Sequence, residues 1–108
     1  MTQLIQTFAA LSDPTRFAIV ERLLAEGEKS AGELQSVADI SAPAISRHLK
    51  VLRAAGVIHQ RTAAQKRLYR ASPEALQGIS SWTMSHRTFW EASMNRLHAA
   101  LLKETTRK

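Results

Sequence analysis

Apolar residues recur at helical spacing from the start of the chain. Leu4, Ile5, Phe8 and Leu11 predict a short amphipathic helix that stops at the breaker Ser12-Asp13-Pro14. Asp13 can accept the free amide hydrogens of a second helix, and Pro14 at its first position gives up only a donor that has no partner there. Phe17, Ile19, Val20, Leu23 and Leu24 form a broad apolar face on that helix, which Gly27 can close. Ser30 followed by Glu33 is a capping box, with Leu34, Val37 and Ala38 as the stripe of a very short third helix. Asp39-Ile40-Ser41 breaks it, with Ser41 as the next cap and Ile40 placed to staple onto Ile45.

The fourth helix is predicted from about Ala42 to Ala55, ending at Gly56, with Ile45, Leu49 and Leu52 pointing inward. Opposite that stripe lie Pro43, Ser46, Arg47 and Lys50, an ordered outward face rich in donors and positive charge. Two short helices joined by a tight turn give a helix-turn-helix, which places this face where it can enter a DNA major groove. Residues 57–62 and 66–71 then read as a β-hairpin joined by Ala63-Ala64-Gln65, with Arg61, Lys66, Arg67 and Arg70 on it for phosphate contacts. Ser72-Pro73-Glu74 opens one long final helix, uninterrupted by Gly or Pro from Ile79 onward. Its stripe of Leu76, Ile79, Trp82, Phe89, Trp90, Leu97 and Leu101 exceeds what a small domain's edge needs and calls for a partner helix.

Composition sharpens this picture. The 108 residues, 44% hydrophobic and 22% charged, suit one soluble domain with a core of its own. Fifteen Lys and Arg against nine Asp and Glu give a formal charge of +6, which favours a polyanionic partner. Cysteine is absent, so disulfides, thiolate metal sites and thiol chemistry are excluded. No basic segment with a long apolar run opens the chain and no stretch approaches a membrane span, so a cytoplasmic protein without membrane contact is expected.

Leu11-Ser12-Asp13-Pro14-Thr15-Arg16 and the run from Ser46-Arg47-His48-Leu49-Lys50 to Ala55-Gly56-Val57-Ile58 resemble the ArsR/SmtB family of winged-helix repressors, and Arg67-Leu68-Tyr69-Arg70 on the hairpin matches too. The resemblance spans nearly the whole chain. It implies a mainly α fold with a small β-hairpin wing, a single domain over 1–108, with the helix-turn-helix at about 30–56 and the wing at 57–71. It also implies a homodimer joined through helices at 1–11 and 73–104, with Leu4, Ile5, Phe8, Trp82, Phe89, Trp90, Leu97 and Leu101 at the interface. Double-stranded DNA is the implied partner, met by Ser41, Pro43, Ser46 and Arg47, with His48 and Lys50 beside them and Lys66 and Arg67 on the wing. Ala42 stands where relatives often carry Gln, which shifts base readout toward Arg47 or toward DNA shape.

The family's metal-sensing members place two Cys after a Glu-Leu pair on the short helix, and this chain reads Glu33-Leu34-Gln35-Ser36-Val37. At the family's second metal site Met84 replaces the expected acid, and His86 and His98 fall off the spacing, so no metal or other cofactor is expected. His48 stands at the edge of the buried stripe and suits packing as well as DNA contact, and His86 falls between Trp82 and Trp90 on an apolar side. Trp82, Phe89, Trp90 and Met94 fit dimer core better than a small-molecule pocket. Ser46 and His48 lack the base geometry and oxyanion site that hydrolysis needs, so enzymatic activity is not expected. Two other readings of the same fold stay open, a protein-interaction module and a nonspecific nucleoid-like DNA binder, as does a small-molecule or protein effector.

Overall fold

The computed structural model describes residues 2–106. Six helices and three strands follow one another as α1 (Thr2–Leu11), α2 (Pro14–Glu26), β1 (Lys29–Ser30), α3 (Ala31–Gln35), α4 (Ala42–Ala54), β2 (Ile58–Ala63), β3 (Lys66–Ala71), α5 (Pro73–Met84) and α6 (Arg87–Thr106). The described chain divides into two compact units at Gly78, the first holding α1 to β3 and the start of α5, the second the rest of α5 and α6.

In the first unit each helix begins where the sequence places a cap. Asp13 accepts from the Arg16 amide at 3.0 Å. Ser30 and Glu33 complete the expected capping box at 2.9 and 3.2 Å, and Ser41 accepts from the Ala44 amide at 3.3 Å. Each bond satisfies an amide that the first helical turn leaves without a partner. Gly27 ends α2 with a φ of 85°, and Gly56 follows α4 with a φ of 77°, left-handed conformations that glycine adopts without steric cost. A side chain at Gly56 would also collide with the Gln3 amide, 3.0 Å from where a Cβ would stand.

Ile19, Val20 and Leu23 of α2, Leu34 of α3, and Ile45, Leu49 and Leu52 of α4 close on Val57, Ile58 and Tyr69 to form one core. Two expectations about this core need correcting. Phe17 and Leu24 are exposed, because the buried arc of α2 is centred on Ile19 and Leu23 and these two lie on its flank. On α1 the fully buried positions are the small residues Thr7 and Ala10, while Ile5 and Phe8 are exposed and Leu4 is half-buried. Thr7 tolerates burial because its hydroxyl donates to the Gln3 carbonyl at 2.9 Å.

The sheet is larger than a hairpin. β1, too short to leave a sequence signature, pairs antiparallel with β3, giving the order β1-β3-β2. Pairing of Ala63 with Lys66 extends the hairpin beyond the expected strand end and leaves a two-residue turn, Ala64-Gln65. Ala64 takes a φ of 56°, the left-handed geometry that tight hairpins demand and that Gly or Asn would enter more cheaply.

The expected uninterrupted final helix is two helices, broken at Ser85-His86. Here hydroxyls compete with the backbone for acceptors. Thr83 Oγ1 donates to the Ile79 carbonyl at 3.0 Å and Ser85 Oγ to the Trp82 carbonyl at 2.6 Å, and the His86 amide turns back to the Thr83 carbonyl at 3.2 Å. Ser and Thr weaken helix continuity in this way without Gly or Pro. In this second unit Trp82, Met84, Phe89, Trp90, Met94, Leu97, Leu101 and Leu102 all remain exposed. No helix of the described residues is long and apolar enough to cross a membrane.

Candidate nucleic-acid interface

α4 is amphipathic in the sense that matters for recognition. Ile45, Leu49 and Leu52 are at most 1% exposed, so the helix is seated by its buried face, and Pro43, Ser46, Arg47 and Lys50 necessarily point to solvent. α3 packs against α4, and Asp39, at a φ of 49°, makes the sharp bend between them. Ser41 sits at the exposed N-terminus, where free amides and the helix dipole favour a phosphate.

His48 departs from this group. It is half-buried and turns toward the start of α2, its Nδ1 lying 3.9 Å from the Asp13 carboxylate. Asp13 is held below the usual carboxylate range chiefly by the hydrogen bond from the Arg16 amide, helped by the nearby charges of Arg16 and His48. A carboxylate with a lowered folded pKa stabilises the fold above its unfolded value of about 3.9, and that contribution disappears as pH falls through the folded value. The Tm advantage of wild type over Asp13→Asn is therefore expected to be constant at neutral and mildly acidic pH and to shrink below about pH 3.9. A difference that stays constant throughout the acid range would remove the charge from this account.

On the wing, Lys66 and Arg67 are exposed beside the turn. As consecutive strand residues they point to opposite faces of the hairpin. Arg61 differs from the expectation that it serves a phosphate. Its guanidinium grips Glu28 with two hydrogen bonds, 2.6 Å to Oε2 and 2.7 Å to Oε1. That bond is the main reason the Glu28 carboxyl is lowered and the Arg61 guanidinium raised from their usual values. The pair links the residue before β1 to β2 across β3, bracing the wing.

Three further residues escape the sequence reading. Gln3 donates to the Ala55 carbonyl at 2.7 Å and fastens α1 to the end of α4. Arg16 donates to the Ala10 carbonyl at 2.7 Å and closes the end of α1. Neither contact leaves a signal in the sequence. Arg53 is exposed one turn beyond Lys50, and that i, i+3 spacing could have shown it to extend the basic face.

In the second unit Trp82 meets the His86 ring edge-on at 5.5 Å, and Phe89 meets Trp90 in the same way at 5.2 Å. A concavity of about 470 Å³ at the α5–α6 junction is lined by Met84, Arg87, Trp90 and Met94 among others, with Arg87 paired to Glu91 at 2.8 Å.

Residues 11–61, which include α3, α4 and most of β2, match a helix-turn-helix domain family. The chain is 43% identical over 74 residues to the HTH-type transcriptional regulator Rv2034 of Mycobacterium tuberculosis, covering 68% of this chain and 68% of that protein. It is 37% identical over 78 residues to the transcriptional repressor SdpR of Bacillus subtilis, covering 72% of this chain and 86% of that one. Among solved structures, an ArsR-like transcriptional regulator from Rhodococcus sp. RHA1 aligns with a TM-score of 0.70 at 28% identity, over 96% of this chain and 92% of that chain. The chain belongs to the ArsR family of winged helix-turn-helix transcriptional regulators.

The ArsR-family assignment agrees with the resemblance found in the sequence, and it makes this chain a DNA-binding transcriptional regulator rather than an enzyme. In the ArsR fold described above, α3 and α4 are the helix-turn-helix and β2–β3 the wing.

Proposed function

We propose that this ArsR-family protein is a cytoplasmic repressor that binds an inverted-repeat operator as a homodimer, with half-sites about 10 bp apart or a multiple of that. The observation that carries this reading is α4 itself, a helix fixed by three fully buried residues whose opposite side presents Ser46, Arg47 and Lys50 to solvent. Arg47 reads a base edge, because its planar fork can donate two hydrogen bonds to guanine. Ser41, Pro43 and Lys50 flank that contact, with His48 setting the helix against Asp13. Lys66 and Arg67 supply phosphate contacts that hold the register without reading sequence.

Each unit leaves apolar surface uncovered, and a second copy of the chain is its natural cover. On α1 this is Ile5 and Phe8, with Leu4 at its margin. On α5 and α6 it is Trp82, Phe89, Trp90, Leu97 and Leu101. So many exposed large apolar residues on a 108-residue chain are unusual for a monomer.

Arg47→Ala is expected to weaken operator binding by about 1–3 kcal/mol and to relax preference at one base position, while Lys66→Ala or Arg67→Ala weakens binding to all DNA alike and flattens the salt dependence. The check is fluorescence-anisotropy titration on operator and random duplexes at several salt concentrations. Equal losses for Arg47→Ala on both duplexes would remove it from readout. The operator comes from selection of bound genomic fragments in excess competitor. A two-fold-symmetric site supports a specific repressor, a featureless mixture points to nonspecific binding consistent with Ala42, and no recovery favours a protein-interaction role.

A further inference from the structure

The exposed face of α4 does not end at Lys50. Arg53 and Ala54 continue it by one helical turn, and there the helix meets the first residues of β2 across a cavity of about 440 Å³ lined by Lys50, Arg53, His59 and Gln60, with Ile58 as part of its wall. No carboxylate lines it. Among the described residues neither Lys50 nor Arg53 has an acidic partner, whereas Arg22, Lys29, Arg61 and Arg87 each have one. His59 stands opposite Arg70 in the strand pairing, which adds a further positive charge on that side of the hairpin. The nearest acid is Glu74, 82% exposed, which approaches His59 Nε2 at 3.7 Å.

Two unpaired cations converging with an imidazole on one concavity are costly as a purely structural arrangement, since like charges repel and nothing in the fold offsets them. An oxyanion removes that repulsion. Arg53 can present a two-pronged donor face to it, Lys50 a point charge, and His59 a ring N–H.

We propose that this cavity is a phosphate site and that its occupant is a backbone phosphate of the operator, lying between the base-reading residues of α4 and the wing. The inference rests on the DNA-binding reading above and extends it, because Lys50 belongs to both the recognition face and the cavity while Arg53 and His59 belong to the cavity alone. The site contributes affinity and register but no base preference, since a phosphate carries no sequence information.

The test compares full-length wild type, Arg53→Gln and Arg53→Lys on one operator duplex across a salt series, together with a titration of wild type by inorganic phosphate followed at the His59 ring and Arg53 Nε resonances. Arg53→Gln is expected to lower the slope of log K against log salt by about 0.9, the value of one lost phosphate contact, with the ranking of operator variants unchanged and Arg53→Lys restoring most of the slope. Arg53 is exposed, so Tm should match wild type in all three proteins. An unchanged slope in Arg53→Gln, with wild type binding normally, overturns the site and leaves the DNA-binding reading intact. If wild type binds no duplex but inorganic phosphate shifts both resonances, DNA is rejected as the source and the cavity takes a free phosphate. Absence of both effects overturns the site and the wider reading together.

Discussion

Replacement of Trp90 by Glu is expected to produce a folded monomer whose operator affinity is lower by roughly 10²–10⁴-fold, the advantage that joining two binding modules confers. Trp90 is 48% exposed in the single chain and stacks edge-on with Phe89, which is exposed as well. Neither belongs to the buried core cluster, so the substitution leaves that core intact. In a two-fold dimer, however, the change occurs twice at one self-complementary surface, and two carboxylates lose their water together with no cation to meet them. Analytical ultracentrifugation gives the oligomeric state, and titration of the operator against an isolated half-site gives the affinity. Leu24→Glu is the control, equally apolar and exposed at 55% but outside the proposed interface, and it should remain dimeric. A Trp90→Glu protein with wild-type mass and affinity would place the dimer contact elsewhere or abolish the dimer.

Leu52→Ala is expected to cost about 2–5 kcal/mol of folding stability, by lost burial plus the cavity left behind. Domains of this size have perhaps a few times that in total, about 5–15 kcal/mol, so the variant stands near the edge of folding. Leu52 is 0% exposed and lies with Ile45 and Leu49 along the stripe that seats α4. A loosened stripe also frees the recognition face, so operator binding should weaken further than the loss of folded protein explains. Urea unfolding at one fixed protein concentration measures the stability term, since dimerisation makes apparent stability depend on concentration. Leu52→Met, which conserves volume, should lose less than about 1.5 kcal/mol. An Ala variant as stable as wild type would mean that α4 is held by something other than this core.

Much of the interface was legible without coordinates, because α4 obeys local rules. Ser41 caps it, Ile45, Leu49 and Leu52 repeat at helical spacing, and Ser46, Arg47 and Lys50 must then face away. His48 was ambiguous for a reason the structure makes plain. Its half-buried position is settled by Asp13, distant in sequence, and periodicity carries no information about such a partner. Arg61 was misjudged on the same ground, since its charge is visible in the sequence while Glu28 becomes its neighbour only once β1 is laid against β3.

The sequence by itself determined the order of elements, the caps, the apolar faces of α2 and α4, the basic outward side of α4 and the family. These rest on interactions within about four residues, where spacing alone fixes geometry. Tertiary structure decided which arc of each apolar face is buried, so that Thr7 and Ala10 of α1 turn inward while Ile5 and Phe8 stay outside. It also decided that a two-residue strand completes the sheet, that α5 and α6 are separate helices, that Arg61 is spent on Glu28, and that Lys50, Arg53 and His59 share one cavity. Those outcomes depend on contacts between segments far apart in the chain and on competition for single carbonyl acceptors, where small energy differences choose between arrangements that the local pattern allows equally.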